Sequence, residues 1–297
     1  MATTQTCDLN QLLGTAQLPA LPHSAVHLLE LTRDDDNGPM EYAAPIEADP
    51  GLAGQILKFV NSSHFGFCNE VTNVRLAINL VGIRTIKNFA LWSAVFSLSP
   101  GMQVGAFDIR LLWQDSLRRA IFAQEIGNRL NIDQQAEDLF TGALLQDLAL
   151  PILMAELPEI YPQVFQHHIS RGVPLAEIER EIFGWTHAEA GAYVAKKWKL
   201  PDSLCRHIDN HIKLDPRWSL SKALGSQLAI SLSAELPDSF SEEWPRAENF
   251  KKIYNQLPRP ERPLEEVFAQ VDSAMEQFAP LLKLKTPSRP LMAFLEQ

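Results

Sequence analysis

Apolar residues recur along this chain at helical spacing almost from end to end. Leu52, Ile56, Phe59 and Val60 fall at i, i+4, i+7 and i+8, on one face of an α-helix. Asp49 followed by Pro50 offers an acidic cap and a proline suited to a first turn, so that helix is expected to begin there. Val74, Ala77, Ile78 and Val81 repeat the spacing, and Gly82 is the expected stop. Ile86 and Ala90 open a further short helix reaching about Val95. The segment 97–107, SLSPGMQVGAF, breaks the pattern with Pro100, Gly101 and Gly105 and reads as a hinge between two helical halves. A long helix is expected from about Asp108 to Leu130. A second is expected from about Glu137 to Leu157, kinked at Pro151. Three more should run from Pro174 to Phe183–Gly184, from His187 to Trp198 and from Pro201 to His211. Strand alternation is confined to the short run Val71–Val74.

The expected fold class is therefore all-α. Its expected organisation is an N-terminal helical part over 1–100, a second helical part over 101–235 and a C-terminal extension over 236–297. Leu257–Pro263, LPRPERP, holds three prolines in seven residues and reads as an extended linker or tight turn. A helix from Leu264 to about Leu284 follows, with Val267, Val271, Ala274, Met275 and Phe278 on one face. That face either closes the core or offers a surface to a second copy.

Composition narrows the classes of function. Hydrophobic residues make up 46% and charged residues 21%, the balance of a folded globular chain. With 26 Lys+Arg against 36 Asp+Glu, the net charge of −10 opposes nucleic acid as the main partner. The N-terminus MATTQTCDLN lacks a basic region followed by an apolar core, and no run of about 18 consecutive apolar residues appears. Cys7, Cys68 and Cys205 are odd in number and form no C-x-x-C pair, which suggests free thiols in a reducing compartment. A cytoplasmic location without membrane contact is the expectation.

Three stretches, taken in order, resemble the HD-related output domain (HDOD) family. The first is the opening Leu18-Pro19-Ala20-Leu21-Pro22. The second runs from Ile46 to Leu80 and includes Asp49-Pro50, Leu57–Val60, Asn61-Ser62, Phe65-Gly66 and Leu80-x-Gly82. The third is Gly142-Ala143-Leu144-Leu145-Gln146-Asp147, followed by Trp185-Thr186-His187-Ala188-Glu189-x-Gly191. The resemblance covers roughly residues 15 to 235. Within it Asn61, Ser62 and Gly66 are family-motif positions. Asn61 and Ser62 can equally serve a helix end, where their side chains satisfy loose backbone groups.

The resemblance implies kinship with HD phosphohydrolases, whose His-Asp pair helps hold one or two metal ions that activate water and neutralise phosphate charge. Carried over position by position, the early His falls at Asp115, and the namesake pair at Gln146-Asp147. The later histidines fall at His187 and His211, and the closing Asp at Ser226. An amide at Gln146 is a poor substitute for imidazole, so no cofactor and no catalysis are expected. Asp147, seated mid-helix, could instead bond with His187 and His211 as a relict network without metal. Leu204, Ile208 and His211 lie at i, i+4 and i+7, which places His211 on a buried stripe. The sharper alternative is a metal held by Asp147, His187, His207 and His211, since His207 and His211 stand at i and i+4. A pocket that binds a small ligand without turning it over is the third possibility.

Other constellations add little. Phosphate-loop and nucleophile-elbow motifs are absent. His167-His168 read as a solvated helix end. Lys196, Lys197 and Lys199 around Trp198 read as a helix C-terminal turn rather than a nucleic-acid patch. Asp34-Asp35-Asp36-Asn37-Gly38 lacks calcium-loop spacing and reads as a solvated turn. The expected function is a non-enzymatic signalling module acting through other signalling proteins or a small signal ligand, with a homodimer conceivable. A divergent metal-dependent phosphohydrolase acting on a nucleotide is the alternative.

Overall fold

The computed structural model describes residues 8–295 except 17, 19–21, 32–36, 63–64, 84, 88, 91–92, 94–102, 105–106, 131, 133–135, 215–221, 258–261 and 282–283. The fold class is all-α. Helices Leu9–Thr15, His23–Leu31, Pro39–Glu47, Pro50–Val60 and Val74–Val81 build the N-terminal half, and described positions between 83 and 93 are also helical. The second half comprises Ile109–Leu130, Ala136–Leu144, Leu150–Glu156, Tyr161–Arg171, Leu175–Phe183, His187–Lys197, Asp202–Asn210 and Lys222–Ser233. Ala247–Asn255 and Leu264–Leu281 follow.

Local sequence explains the helix ends. Asp49 Oδ1 accepts from Leu52 N at 3.1 Å, and its Oδ2 accepts from Ser24 Oγ at 3.0 Å, so one carboxylate caps a helix and ties it to its neighbour. The Leu52, Ile56, Phe59 and Val60 stripe is buried. Gly82 ends the Val74–Val81 helix at φ +88°, a conformation open to glycine. Asn61 closes the following loop, donating to Leu57 O and Val71 O and accepting from Val71 N at 2.8 Å.

Two expectations change. Val71–Val74 is not a strand: Val74 begins a helix, and among the described residues the sole ladder pairs Gln103–Val104 with Phe107–Asp108, across the end of the segment taken as a hinge. The helix expected over Glu137–Leu157 is two helices, Ala136–Leu144 and Leu150–Glu156. Pro151 does not kink a continuous helix; it occupies the first turn of the second one. Having no N–H, Pro151 cannot bond residue 147. The chain passes through i→i+3 bonds instead, from Leu148 N to Leu145 O and from Leu150 N to Asp147 O. Asp147 therefore lies in a turn rather than mid-helix. The break also interrupts the apolar stretch Leu139–Glu156, which has mean hydropathy 1.3 and is 83% buried inside the protein.

The Ile109–Leu130 helix is the central post, packed against Ala136–Leu144, Lys222–Ser233 and Leu264–Leu281. Val267, Val271, Ala274, Met275 and Phe278 are all buried, so the last helix closes the core. It also reaches the N-terminal half, where Phe278 meets Phe59 at 5.5 Å between ring centroids. Arginines on the post hold the chain after residue 236 by its carbonyls. The buried Arg118 donates to Pro237 O and Arg289 O, and Arg129 donates to Arg262 O. A buried guanidinium needs such acceptors to offset its lost hydration.

Candidate functional site

The helix break at 145–149 delivers Asp147 to the lining of a cavity of about 580 Å³. His187 arrives from a second direction. Thr186 caps its helix reciprocally with Glu189, Thr186 N donating to Glu189 Oε2 at 2.8 Å and Glu189 N to Thr186 Oγ1 at 3.4 Å. That cap fixes His187 as the first helical residue. His211 arrives from a third direction, as the C-cap of Asp202–Asn210. Asp147, His187 and His211 are all buried, and one donor atom of each lies within 4.8 Å of the others.

The hydrogen bonds fix the chemistry of this triangle. His187 Nδ1 lies 2.6 Å from Glu179 Oε2, and His211 Nδ1 lies 2.7 Å from Ile208 O. Both partners only accept, so each Nδ1 carries a hydrogen. The two Nε2 atoms then face one another at 3.1 Å, with Asp147 Oδ1 at 3.4 Å from one and 3.5 Å from the other. Three lone pairs cannot converge without a positive charge between them, so the triangle holds at least one proton or a cation. Burial alone would depress the His187 pKa, but Glu179 and Asp147 outweigh it and raise it; burial lowers that of His211. These surroundings favour the proton on His187 over His211.

Glu179 and Arg119 complete the arrangement. Glu179 is fully buried and also accepts from Tyr161 Oη at 2.7 Å and from His187 N at 2.8 Å. Arg119, from the central post, pairs its Nη1 with Asp147 Oδ2. Burial works to raise the Asp147 pKa, yet Arg119 and the two histidines hold it well below the usual carboxylate range. With a proton on His187, Asp147 and Glu179 are matched by Arg119 and the imidazolium. The site is close to neutral without any further ion.

The expected positions fare unevenly. Asp115 turns to the loop after Lys222–Ser233, accepting from Ser239 N at 2.9 Å and Ser239 Oγ at 2.5 Å, and burial raises its pKa to about 6. Gln146 is fully buried, and its amide makes no hydrogen bond. His207 stays apart from the triangle, its Nδ1 set against Gly142. Ser226 is buried in its helix and does not line the cavity. Asn61 is occupied with backbone groups, and Gly66 adopts φ +60° in the loop that Asn61 closes. His168 is no solvated helix end. Its side chain is 13% exposed, with Nδ1 2.6 Å from Val173 O and Nε2 3.0 Å from Asp238 Oδ2.

Arg119, Glu179 and Asp238 escaped the sequence reading, and His168 was placed at the surface. Arg119 had one signal, since it falls at i+4 from Asp115 on a helix whose other face is apolar. Glu179, four residues before Phe183, had another, being a charge on the buried side of an amphipathic helix.

A single divalent ion suits the triangle. Edges of 3.1–3.5 Å match donors about 2.0–2.2 Å from one centre, and the pinned Nδ1–H groups are the usual outer support of metal-bound imidazoles. Such an ion would polarise a phosphate or water oxygen. Among the described residues a second ion has no comparable ligand set beside the triangle, because Asp147 Oδ2 is taken by Arg119, Asp115 by Ser239, and Gln146 is an amide.

Asp238 yields a prediction for acid stability. Burial opposes its charge, but the His168 hydrogen bond prevails and sets its pKa at about 2 against an ordinary 3.8. A depressed folded-state pKa contributes stability above the unfolded value and loses it as pH falls through the folded one. Asp238 should thus contribute about 2 kcal/mol at pH 5 that fades towards pH 2. The gap in urea midpoint between wild type and D238N should narrow from pH 5 to pH 2.5; an unchanged gap rules this out.

The family model for the HDOD domain matches residues 18–214. A candidate phosphohydrolase from Shewanella amazonensis SB2B superposes with TM-score 0.69 at 21% identity, covering 95% of this chain and 99% of that one. A candidate signal-transduction protein from Marinobacter aquaeolei VT8 gives TM-score 0.68 at 17% identity, covering 95% and 68%. These likenesses show the shared fold. An uncharacterised protein of Treponema pallidum (strain Nichols) is 24% identical over 216 residues. That match spans 72% of this chain but 41% of the length of the Treponema protein.

Proposed function

This chain belongs to the HDOD domain family, and from that premise we propose that it is a non-catalytic regulatory module that reports on a small ligand in its central cavity and signals to protein partners. The ion pair between Arg119 and Asp147 carries this reading. In a metal-dependent hydrolase the aspartate oxygens are free to hold cations that act on substrate. Here a fixed guanidinium holds one of them, and the His187 proton balances the other. An arginine cannot lose its proton and cannot generate a nucleophile from water, which supports a site that stores charge over one that activates water. Loss of imidazole at the Asp115 and Gln146 positions points the same way. The similarity to a candidate signal-transduction protein is compatible with a cytoplasmic signalling role.

The second reading, a phosphohydrolase using one ion, is favoured by the triangle of Asp147, His187 and His211 with its pinned imidazoles. Metal analysis separates the two. Protein purified without chelator or histidine tag is expected to contain iron, manganese and zinc well below one equivalent. It should hydrolyse no phosphodiester in the presence of added divalent ions. Stoichiometric metal together with hydrolysis abolished by H187A would overturn the non-catalytic reading.

A further inference from the structure

The cavity that holds the triangle has a divided lining. One part is apolar: Leu112, Leu150 and Phe165 are buried, and Phe240 sets its ring 5.4 Å from that of Phe165. Phe240 belongs to residues 234–246, a segment held in the core by buried Leu236 and by Trp244, whose ring packs on Phe250, Phe268 and Phe294. The apolar part is therefore preformed, and about 580 Å³ is room for a small organic molecule.

The other part is exposed and charged, and carries Glu177, Arg180, Glu181 and Lys213. Most carboxylates of the lining have partners of their own. Asp147 is paired with Arg119, Asp238 is bonded to His168, and Glu235 meets Arg246 at 2.9 Å. Asp115 accepts from Ser239 and faces Arg118. Glu181 takes both ends of the Arg171 guanidinium, at 2.6 Å and 2.9 Å, and Glu177 lies in the field of the same arginine.

Two cations of the lining are left with weak partners. Arg180 reaches Glu189 Oε2 only at 3.5 Å, and that oxygen already accepts from Thr186 N at 2.8 Å and Thr186 Oγ1 at 2.9 Å. Lys213 donates to Asn210 Oδ1 at 2.7 Å, a neutral acceptor. Both cations stand close to the triangle along the chain. Arg180 follows Glu179, which is bonded to His187, and Lys213 lies two residues past His211. An apolar wall with unmatched positive charge at its exposed edge suits an amphipathic anion.

We propose that the cavity binds a small organic carboxylate, its negative charge at Arg180 and Lys213 and its apolar body against Leu112, Leu150, Phe165 and Phe240. The inference rests on the regulatory reading above and gives its ligand a chemical class. A neutral ligand would forgo the two cations, and a cationic one would meet them at like charge. The second charge of a phosphate monoester would face the carboxylates of the lining with no further unmatched cation among the described residues.

Leucine-methyl NMR titration of the full chain tests this with 4-phenylbutyrate and its matched alcohol, amine and phosphate, at about pH 8, where the phosphate carries two charges. The carboxylate should bind with a Kd of about 1 mM or tighter and shift the Leu112 and Leu150 methyls. The alcohol, the amine and the phosphate should each bind about tenfold more weakly. The double variant R180Q/K213Q alters two exposed side chains and should fold as wild type does. It should weaken the carboxylate about tenfold and leave the alcohol unchanged. If the double variant melts early, R180Q and K213Q taken singly decide, each with about a threefold loss. A carboxylate that fails to shift these methyls, or binds no more tightly than the alcohol, would sink the proposal. So would tighter binding of the phosphate or the amine, or charge variants that bind the carboxylate as wild type does. Metal content and phosphodiester hydrolysis of the same protein report separately on the regulatory reading, so the two can fail independently.

Discussion

Glu179→Ala is expected to lower stability by about 3–5 kcal/mol, among the largest effects of any single substitution outside the apolar core. The carboxylate is fully buried and accepts from Tyr161 Oη, His187 N and His187 Nδ1. Removing it strands three donors in an interior that offers no substitute. It also removes the negative charge that keeps the proton on His187, so the two Nε2 atoms 3.1 Å apart lose what reconciles them. The burial that already lowers the pKa of His211 would then act on both rings. Urea denaturation at pH 7 reads the stability loss. NMR of the imidazole nitrogens should show His187 changing from imidazolium in wild type to neutral in E179A. Glu179→Gln, which keeps one acceptor oxygen, should lie between the two. A loss below about 1 kcal/mol for E179A, with His187 still charged, would show that the site does not depend on this carboxylate.

Gly191→Val is expected to cost about 3 kcal/mol by overpacking. A Cβ at Gly191 would stand 2.7 Å from Ile208 Cγ2, with Gln146 O and Ala149 Cβ behind it. Ile208 also supplies the carbonyl that orients His211, so the His187–Lys197 and Asp202–Asn210 helices can bring their histidines together only because residue 191 has no side chain. Gly142 allows a similar close approach in the neighbouring layer, where a Cβ would meet Ile230 Cδ1 at 2.7 Å and His207 Nδ1 at 3.0 Å. Thermal unfolding of G191V checks the stability, and Gly191→Ala should be milder. If G191V melts with the wild-type protein, the helices are free to separate and the triangle is not held by close packing.

Helices with a single apolar stripe were legible because a 3.6-residue period writes burial directly into residue type. Leu52 to Val60 and Val267 to Phe278 are of this kind, as are the caps at Asp49 and Gly82. The break at 145–149 was not legible, because Leu145, Leu148 and Leu150 are apolar on every face and a proline at 151 suits a kink and a fresh start equally.

For the site, the sequence by itself determined the inventory. Through its resemblance to the HDOD family it offered Asp147, His187 and His211 as cluster positions beside Asp115, Gln146 and Ser226, and it marked Gly142 and Gly191 within their motifs. Tertiary structure alone decided what those residues do. Spacing placed His207 with His211, whereas packing against Gly142 sets His207 apart and leaves three residues at the triangle. It read His167-His168 as one solvated pair, whereas the segment after the Lys222–Ser233 helix claims His168 through Asp238. Above all, nothing in a linear chain reveals that Arg119 meets Asp147 across 28 positions, or that Glu179 stands behind His187. The physical reason is common to these cases. Helical periodicity reports whether a side chain is buried, while the charge that a buried group carries is set by its partners, and those come from whichever elements the fold brings alongside.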